Sequence, residues 1–252
     1  MDKKLWAKIQ KANEDSIKHP GKSSADLPKS ESKKDPEIYV FRHGQTTDNI
    51  NRVFSGWRDA KLTETGIKQA EELAEALKDK HIDLCITSPQ SRAKDTAKIA
   101  LKYHKDILFE EDPRVMERNY GVLQGKSKEK LMRESPELTT QYRRGYDTPP
   151  PKGESIKMVE DRVFPFCDAV VERVKKNNIN IAISCHGNSM RAIRRYFENL
   201  SVAEELTVEN PLAQTYAQYV IKNKLRRKSG FRFSKSYLRK LIIPNKKFFD
   251  DD

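Results

Sequence analysis

Three stretches of this chain carry residue types that rarely improve a core but suit an anion. Arg42-His43-Gly44 follows the apolar run EIYVF at 37–41, and Cys185-His186-Gly187 follows NIAIS at 180–184. The segment ITSPQSRA at 86–93 brings Arg92 to the end of another apolar run. A guanidinium holds phosphate oxygens in a two-pronged fork. A histidine with no base partner can itself attack phosphorus and form a covalent phosphoenzyme. Such a transfer needs little beyond aligned attack and charge neutralisation on the equatorial oxygens. Gly44 and Gly187 would let backbone approach the anion. Asn49 and Asn188 would add hydrogen bonds. All of this requires the three apolar runs to be neighbouring strands, so that two histidines and two arginines meet in one pocket.

The elements around these residues support that requirement. In 64–77, Ile67, Ala70, Leu73, Ala74 and Leu77 recur at helical spacing with Glu and Lys between them. HIDLCITS at 81–88 reads as a second buried strand, and 89–101 as a helix with Arg92 in its first turn. Residues 115–134 read as a loop running into a helix, and the Pro-rich 147–155 as a turn-rich connection in which Glu154 and Ser155 cap the next helix. Residues 156–178 predict a long helix bent at Pro165, and 213–224 a final strand. Alternating strands and helices argue for an α/β sheet covered on both faces. The spacing divides the chain into an N-terminal extension and linker over 1–36, a catalytic domain over 37–221 and a basic C-terminal tail over 222–252. Within the extension, a short amphipathic segment around Leu5, Trp6 and Ile9 precedes a Pro/Ser/Lys-rich linker.

Composition narrows the function classes. The 252 residues carry a formal charge of +12, concentrated at the ends. Residues 222–252 hold 11 Lys/Arg against 3 Asp/Glu, whereas 37–221 hold 29 against 28. Phe231, Phe233 and Tyr237 interleave the basic tail, so contact with nucleic acid or an anionic surface through that tail is one reading. A solvated tail that promotes solubility is the other. No apolar run approaches the roughly 20 residues of a membrane span, and the N-terminus lacks the apolar stretch of a secretory signal. Cys85, Cys167 and Cys185 form neither a close pair nor a zinc spacing, which points to a reducing, cytoplasmic setting. No metal site is expected, because Arg and His hold the phosphate.

RHGQTTDN (42–49), TSPQSRA (87–93), MERNYG (116–121) and CHGN (185–188), in that order, resemble the histidine phosphatase superfamily, and within it the cofactor-dependent phosphoglycerate mutase branch. The resemblance covers 37–221 and implies a three-layer α/β/α sandwich with a mostly parallel central sheet. It implies that His43 accepts the phosphoryl group, that Glu117 gives and takes the proton, and that Arg42, Arg92 and His186 line the phosphate pocket beside Asn49. Ser55 and Gly56 match the mutase stretch that touches substrate. Arg118 and Lys128, with Arg143 and Arg144, match positions that hold the second phosphate and the carboxylate. Simple phosphatases of the superfamily usually lack this second basic cluster. The implied activity is a 2,3-bisphosphoglycerate-dependent mutase interconverting 3-phosphoglycerate and 2-phosphoglycerate through phosphohistidine, in glycolysis and gluconeogenesis. The bisphosphate is the primer, small phosphorylated three-carbon acids are the ligands, and a homodimer is the family's usual assembly. The alternative is a histidine-type phosphomonoesterase acting on another small acidic phosphorylated metabolite. Three features depart from the mutase pattern: Asn119 stands where His is common, the segment before Glu154 is short, and the tail is unusually basic. A tail that does not close over the site would admit water and raise hydrolysis.

Overall fold

A computed structural model describes residues 2–21 and 26–222. The expected contacts of the tail beyond Lys222 lie outside the described residues. The elements run α1 (Lys3–Lys18), β1 (Glu37–Arg42), α2 (Thr47–Ile50), α3 (Glu64–Leu77), β2 (Leu84–Thr87), α4 (Ser91–Ala100), β3 (Leu108–Glu111), two short 3-10 turns, α5 (Lys128–Glu134), α6 (Pro136–Arg144), α7 (Ile156–Asn177), β4 (Ile181–Cys185), α8 (Gly187–Glu198), α9 (Val202–Thr207) and β5 (Ala217–Val220).

The sheet order is β3-β2-β4-β1-β5, parallel except for β5, which runs antiparallel to β1. The inner strands are apolar on both faces because both faces are covered. Ile38, Val40, Ile86, Ile181 and Ile183 pack against Val163 and Phe166 of α7 and Met190 and Ile193 of α8. Tyr39, Phe41, Cys85 and Ala182 point the other way, against Leu73 and Leu77 of α3 and Ala97 and Ala100 of α4. The result is an α/β/α sandwich.

Several elements differ from the sequence expectation. A 16-residue helix, α1, occupies the stretch that reads as an extension, and it packs on α6 and α9. The linker after it is also anchored. Lys29 bridges to Gln218, and Gln218 N–H donates to the Pro28 carbonyl at 2.8 Å. Strand β3 has no counterpart in the expected elements; it lies at the sheet edge with alternating half-burial. As the sequence predicts, α7 is one long helix that continues through Pro165, and Ser155 caps its start by accepting from Met158 N–H at 3.1 Å. Glu154 instead pairs with Arg162.

Candidate active site

Strand register creates the site. Arg42 lies opposite Cys185 in the β1–β4 pair, so the next residue of each strand, His43 and His186, leaves the sheet at the same level. His43 N–H donates to the Cys185 carbonyl at 3.1 Å, and the two imidazole centroids stand 5.1 Å apart. Both groups lie at carboxyl ends of strands, where open α/β sheets usually bind ligands. Gly44 has a different role from the one its place beside His43 suggests. A Cβ there would lie 2.3 Å from the Gly66 carbonyl oxygen, so the glycine lets the chain leaving β1 press against the start of α3. At Gly187 a Cβ would meet only ordinary contacts with Arg42 and Glu117, both at 3.5 Å.

A cavity of about 80 Å³ opens over these strand ends. Of the residues singled out from sequence, Arg42, His43, Asn49, Ser55, Gly56, Arg92, Glu117, Lys128, Arg143, Arg144, Gly187 and Asn188 line it. His186 is fully buried just behind, against the His43 ring. Arg118 is not brought to the cavity. Its guanidinium donates to the carbonyls of Glu154 (2.7 Å), Arg143 (3.1 Å) and Tyr142, tying three segments together from beneath. Asn119, the departure from the mutase pattern, accepts from Gly121 N–H at 2.7 Å and so shapes the turn after Glu117.

The proximal end is built to meet an anion. His43 Nδ1 is 2.7 Å from the Gly44 carbonyl, which holds the proton on that nitrogen and leaves the Nε2 lone pair free. Burial, then the charges of Arg92 and Arg42, holds His43 well below the usual imidazole range, so it is neutral. Burial and the same arginines, with His43, do likewise for His186, and neither of its ring nitrogens has a partner among the described residues. Arg92 is anchored through Arg58 and Gly56 carbonyls at 2.7 and 2.8 Å, and Arg42 through the Asn210 carbonyl at 3.0 Å. Each keeps a buried Nε–H that no described residue engages. Unpaired buried donors are costly, and an oxyanion in the cavity that both residues line would offer them an acceptor.

Glu117 occupies the N-terminus of α8. Its carboxylate accepts from the Gly187 and Asn188 backbone N–H groups, both at 3.1 Å, from the Asn188 amide at 2.9 Å and from Arg118 N–H at 2.8 Å. Burial raises its affinity for a proton, but these hydrogen bonds together with Arg42 and Arg92 outweigh burial and leave it ionised.

The distal end holds four more cations. Arg144 and Arg191 both pair with Glu209, and burial of that carboxylate is more than offset by the two arginines, which hold it at about 2. Burial, then Arg143 and Arg42, brings Lys128 down to about 7. Burial, then Arg144, brings Arg143 down to about 9. Sequence reasoning missed Tyr120, Arg191, Glu209, Ser16, Pro20 and Gly21, all of which line the cavity. Arg191 had a signal: it follows Asn188 by three residues at a helix start and donates to the Asn188 side-chain oxygen at 3.0 Å. Cys185 is a buried thiol pushed up to about 12 by burial, and it acts as packing.

A family model described as histidine phosphatase superfamily (branch 1) matches residues 38–222. The chain belongs to the histidine phosphatase superfamily. A 2,3-bisphosphoglycerate-dependent phosphoglycerate mutase of Parvibaculum lavamentivorans is 37% identical over 177 residues, covering 68% of this chain and 84% of that protein. Phosphoglycerate mutase 1 of Saccharomyces cerevisiae is 34% identical over 199 residues, covering 67% and 81%. Among solved structures, a mycobacterial glucosyl-3-phosphoglycerate phosphatase bound to VO3 has a TM-score of 0.65 at 23% identity, covering 73% of this chain and 97% of that one, and shares the fold. This histidine phosphatase superfamily member is an enzyme acting on a small phosphorylated metabolite. Among the described residues no cluster of three or more His, Cys, Asp or Glu is arranged to hold a metal, and no helix is long and apolar enough to cross a membrane.

Proposed function

We propose that this enzyme transfers the phosphoryl group of a small phosphorylated carboxylic acid to His43 and then to water. The observation that carries the reading is the neutral His43 ring, pinned through Nδ1 with Nε2 free, beside unpartnered donors of Arg42 and Arg92. Nε2 attacks phosphorus, the ester P–O bond breaks, and the departing oxygen takes a proton from Glu117. A dianionic phosphate near Glu117 raises its proton affinity on binding, which loads that proton. Glu117, again a carboxylate, takes a proton from water as the water attacks the phosphohistidine. The P–N bond breaks and His43 is restored.

The distal cations Lys128 and Arg143 would receive the acid's second anionic group. Glu209 already neutralises much of Arg144 and Arg191, so the distal end suits one carboxylate better than a second phosphate dianion. That balance favours the phosphomonoesterase reading. A second reading, supported by relatives 37% and 34% identical that bear the mutase name, replaces water by the hydroxyl of the bound acid. In that case 2,3-bisphosphoglycerate primes His43, and 3-phosphoglycerate and 2-phosphoglycerate interconvert. Free phosphate release and 3-phosphoglycerate conversion are to be measured side by side, with and without 2,3-bisphosphoglycerate. Phosphate release exceeding conversion supports the first reading. Primer-dependent conversion exceeding release overturns it in favour of the second.

A further inference from the structure

The family match begins at residue 38, yet Ser16, Pro20 and Gly21 line the cavity from well ahead of it. They are the end of α1 and the turn after it. Helix α1 is held by Ile9, buried with Ile156 and Leu206, and by Asn13, a polar side chain with no exposed surface. A buried amide is costly unless its hydrogen bonds are made. Asn13 makes them: its amide donates to Thr140 Oγ1 at 3.0 Å, and its side-chain oxygen and backbone carbonyl both accept from Arg143 Nη1. One turn on, Ser16 Oγ donates to the Asn13 carbonyl at 2.9 Å and accepts from Arg143 Nη2 at 3.2 Å and Arg144 Nη2 at 3.0 Å. Both terminal nitrogens of Arg143 are thus tied to α1. Its buried Nε–H is left without a partner among the described residues, on a side chain that lines the cavity. The turn is fixed as well. Gly21 has φ +80°, and a Cβ there would fall 2.4 Å from Leu212 Cγ.

We propose that α1 is a specificity element of this enzyme. Asn13 and Ser16 are positioning residues that fix the plane of the Arg143 guanidinium and present its Nε edge to the second anionic group of the substrate. The inference rests on the reading that the distal cations take that group. It adds that selectivity for a two-ended acid over plain phosphate depends on residues that the family match does not include.

The test is equilibrium binding of inorganic phosphate and of 3-phosphoglycerate to the full chain, by calorimetry, for wild type, Ser16→Ala, Ser16→Thr and Asn13→Ala. Wild type should bind 3-phosphoglycerate more tightly than phosphate. Ser16→Ala and Asn13→Ala should raise Kd for 3-phosphoglycerate about tenfold and Kd for phosphate less than about twofold, as expected for losing bonds to one charged group. Ser16→Thr, which keeps the hydroxyl, should restore the preference. If Asn13→Ala does not fold, the Ser16 pair alone decides. A preference that survives Ser16→Ala, or a tighter complex, overturns the role of α1 and leaves the distal-cation reading standing. No preference in wild type overturns both.

Discussion

His43 and His186 face each other with ring centroids 5.1 Å apart and planes inclined by 56°, and of the two only His43 has a ring nitrogen engaged by a described residue. On the proposed reading this asymmetry makes His43 the nucleophile and His186 a donor to the phosphate. His43 Nδ1 is engaged by the Gly44 carbonyl, whereas neither His186 ring nitrogen has a partner among the described residues. Incubation with a phosphorylated substrate and acid-free quenching should therefore label the protein with an acid-labile, base-stable phosphoryl group. His43→Ala should give no label and lower turnover by at least about a thousandfold, a loss on the scale of removing an enzyme nucleophile. His186→Ala should still label, more slowly by about 10²–10³-fold, as when one transition-state donor is removed. Label that persists in His43→Ala would place the acceptor elsewhere.

Hydrogen bonds at the start of α8 and two arginines keep Glu117 ionised before substrate arrives, so on the proposed reading it must take up a proton before it can give one. Glu117→Gln keeps the shape of the group and removes its ability to carry a proton. Turnover should fall about 10²–10⁴-fold, the usual scale for a lost general acid or base. Inorganic phosphate should bind at least as tightly, because a negative charge beside it has gone. Parallel loss of phosphate affinity and turnover would instead make Glu117 a scaffold for the turn.

Lys128 bears on pH dependence. It carries its charge below about pH 7 and loses it above, since burial and neighbouring cations lower it from the usual ammonium range. Affinity for 3-phosphoglycerate, whose carboxylate stays ionised throughout, should fall as pH rises from 7 to 8.5, by about tenfold in Kd through proton linkage. Lys128→Arg keeps a charge across that range and should flatten the profile. A wild-type Kd that stays level from pH 7 to 8.5 would show that Lys128 remains charged or makes no contact.

The inner strands and the proximal site were legible because continuous apolar runs of four or five residues mark strands buried on both faces, and each ends in residues with no use in a core. Register then does the rest: aligning Arg42 with Cys185 is enough to bring the two His-Gly pairs together. Strand β3 was not legible because Leu108-Phe109-Glu110-Glu111 lies at an edge, and two glutamates mask its weak alternation. The distal end was legible only as a set of cations. Spacing could not say that Arg118 turns beneath the loop while Arg143 lines the cavity, because carbonyls from remote segments decide the matter. Helix α1 was harder still. Its link to the site is a buried Asn and a Ser on a helix rich in Lys, and each looks like a solvated residue in sequence.

Glu209 is the counterion on which the distal end depends, with Arg144 and Arg191 both on one carboxylate. Removing one member of a buried, paired set leaves uncompensated charge and costs about 3–5 kcal/mol. Glu209→Gln should lose stability on that scale in chemical denaturation at neutral pH. The sign of the pH effect follows from the depressed carboxylate. With its folded value near 2 and its ordinary value at 4.5, Glu209 contributes its full stabilisation above about 4.5 and loses it as pH falls toward 2. The gap between wild type and Glu209→Gln should therefore narrow over that interval. An anion at the distal end can take over the same two guanidiniums, so 2,3-bisphosphoglycerate should raise the Tm of Glu209→Gln more than that of wild type. Equal Tm shifts in the two proteins would mean that Arg144 and Arg191 are structural cations committed to the fold, and that Glu209 does not compete with substrate.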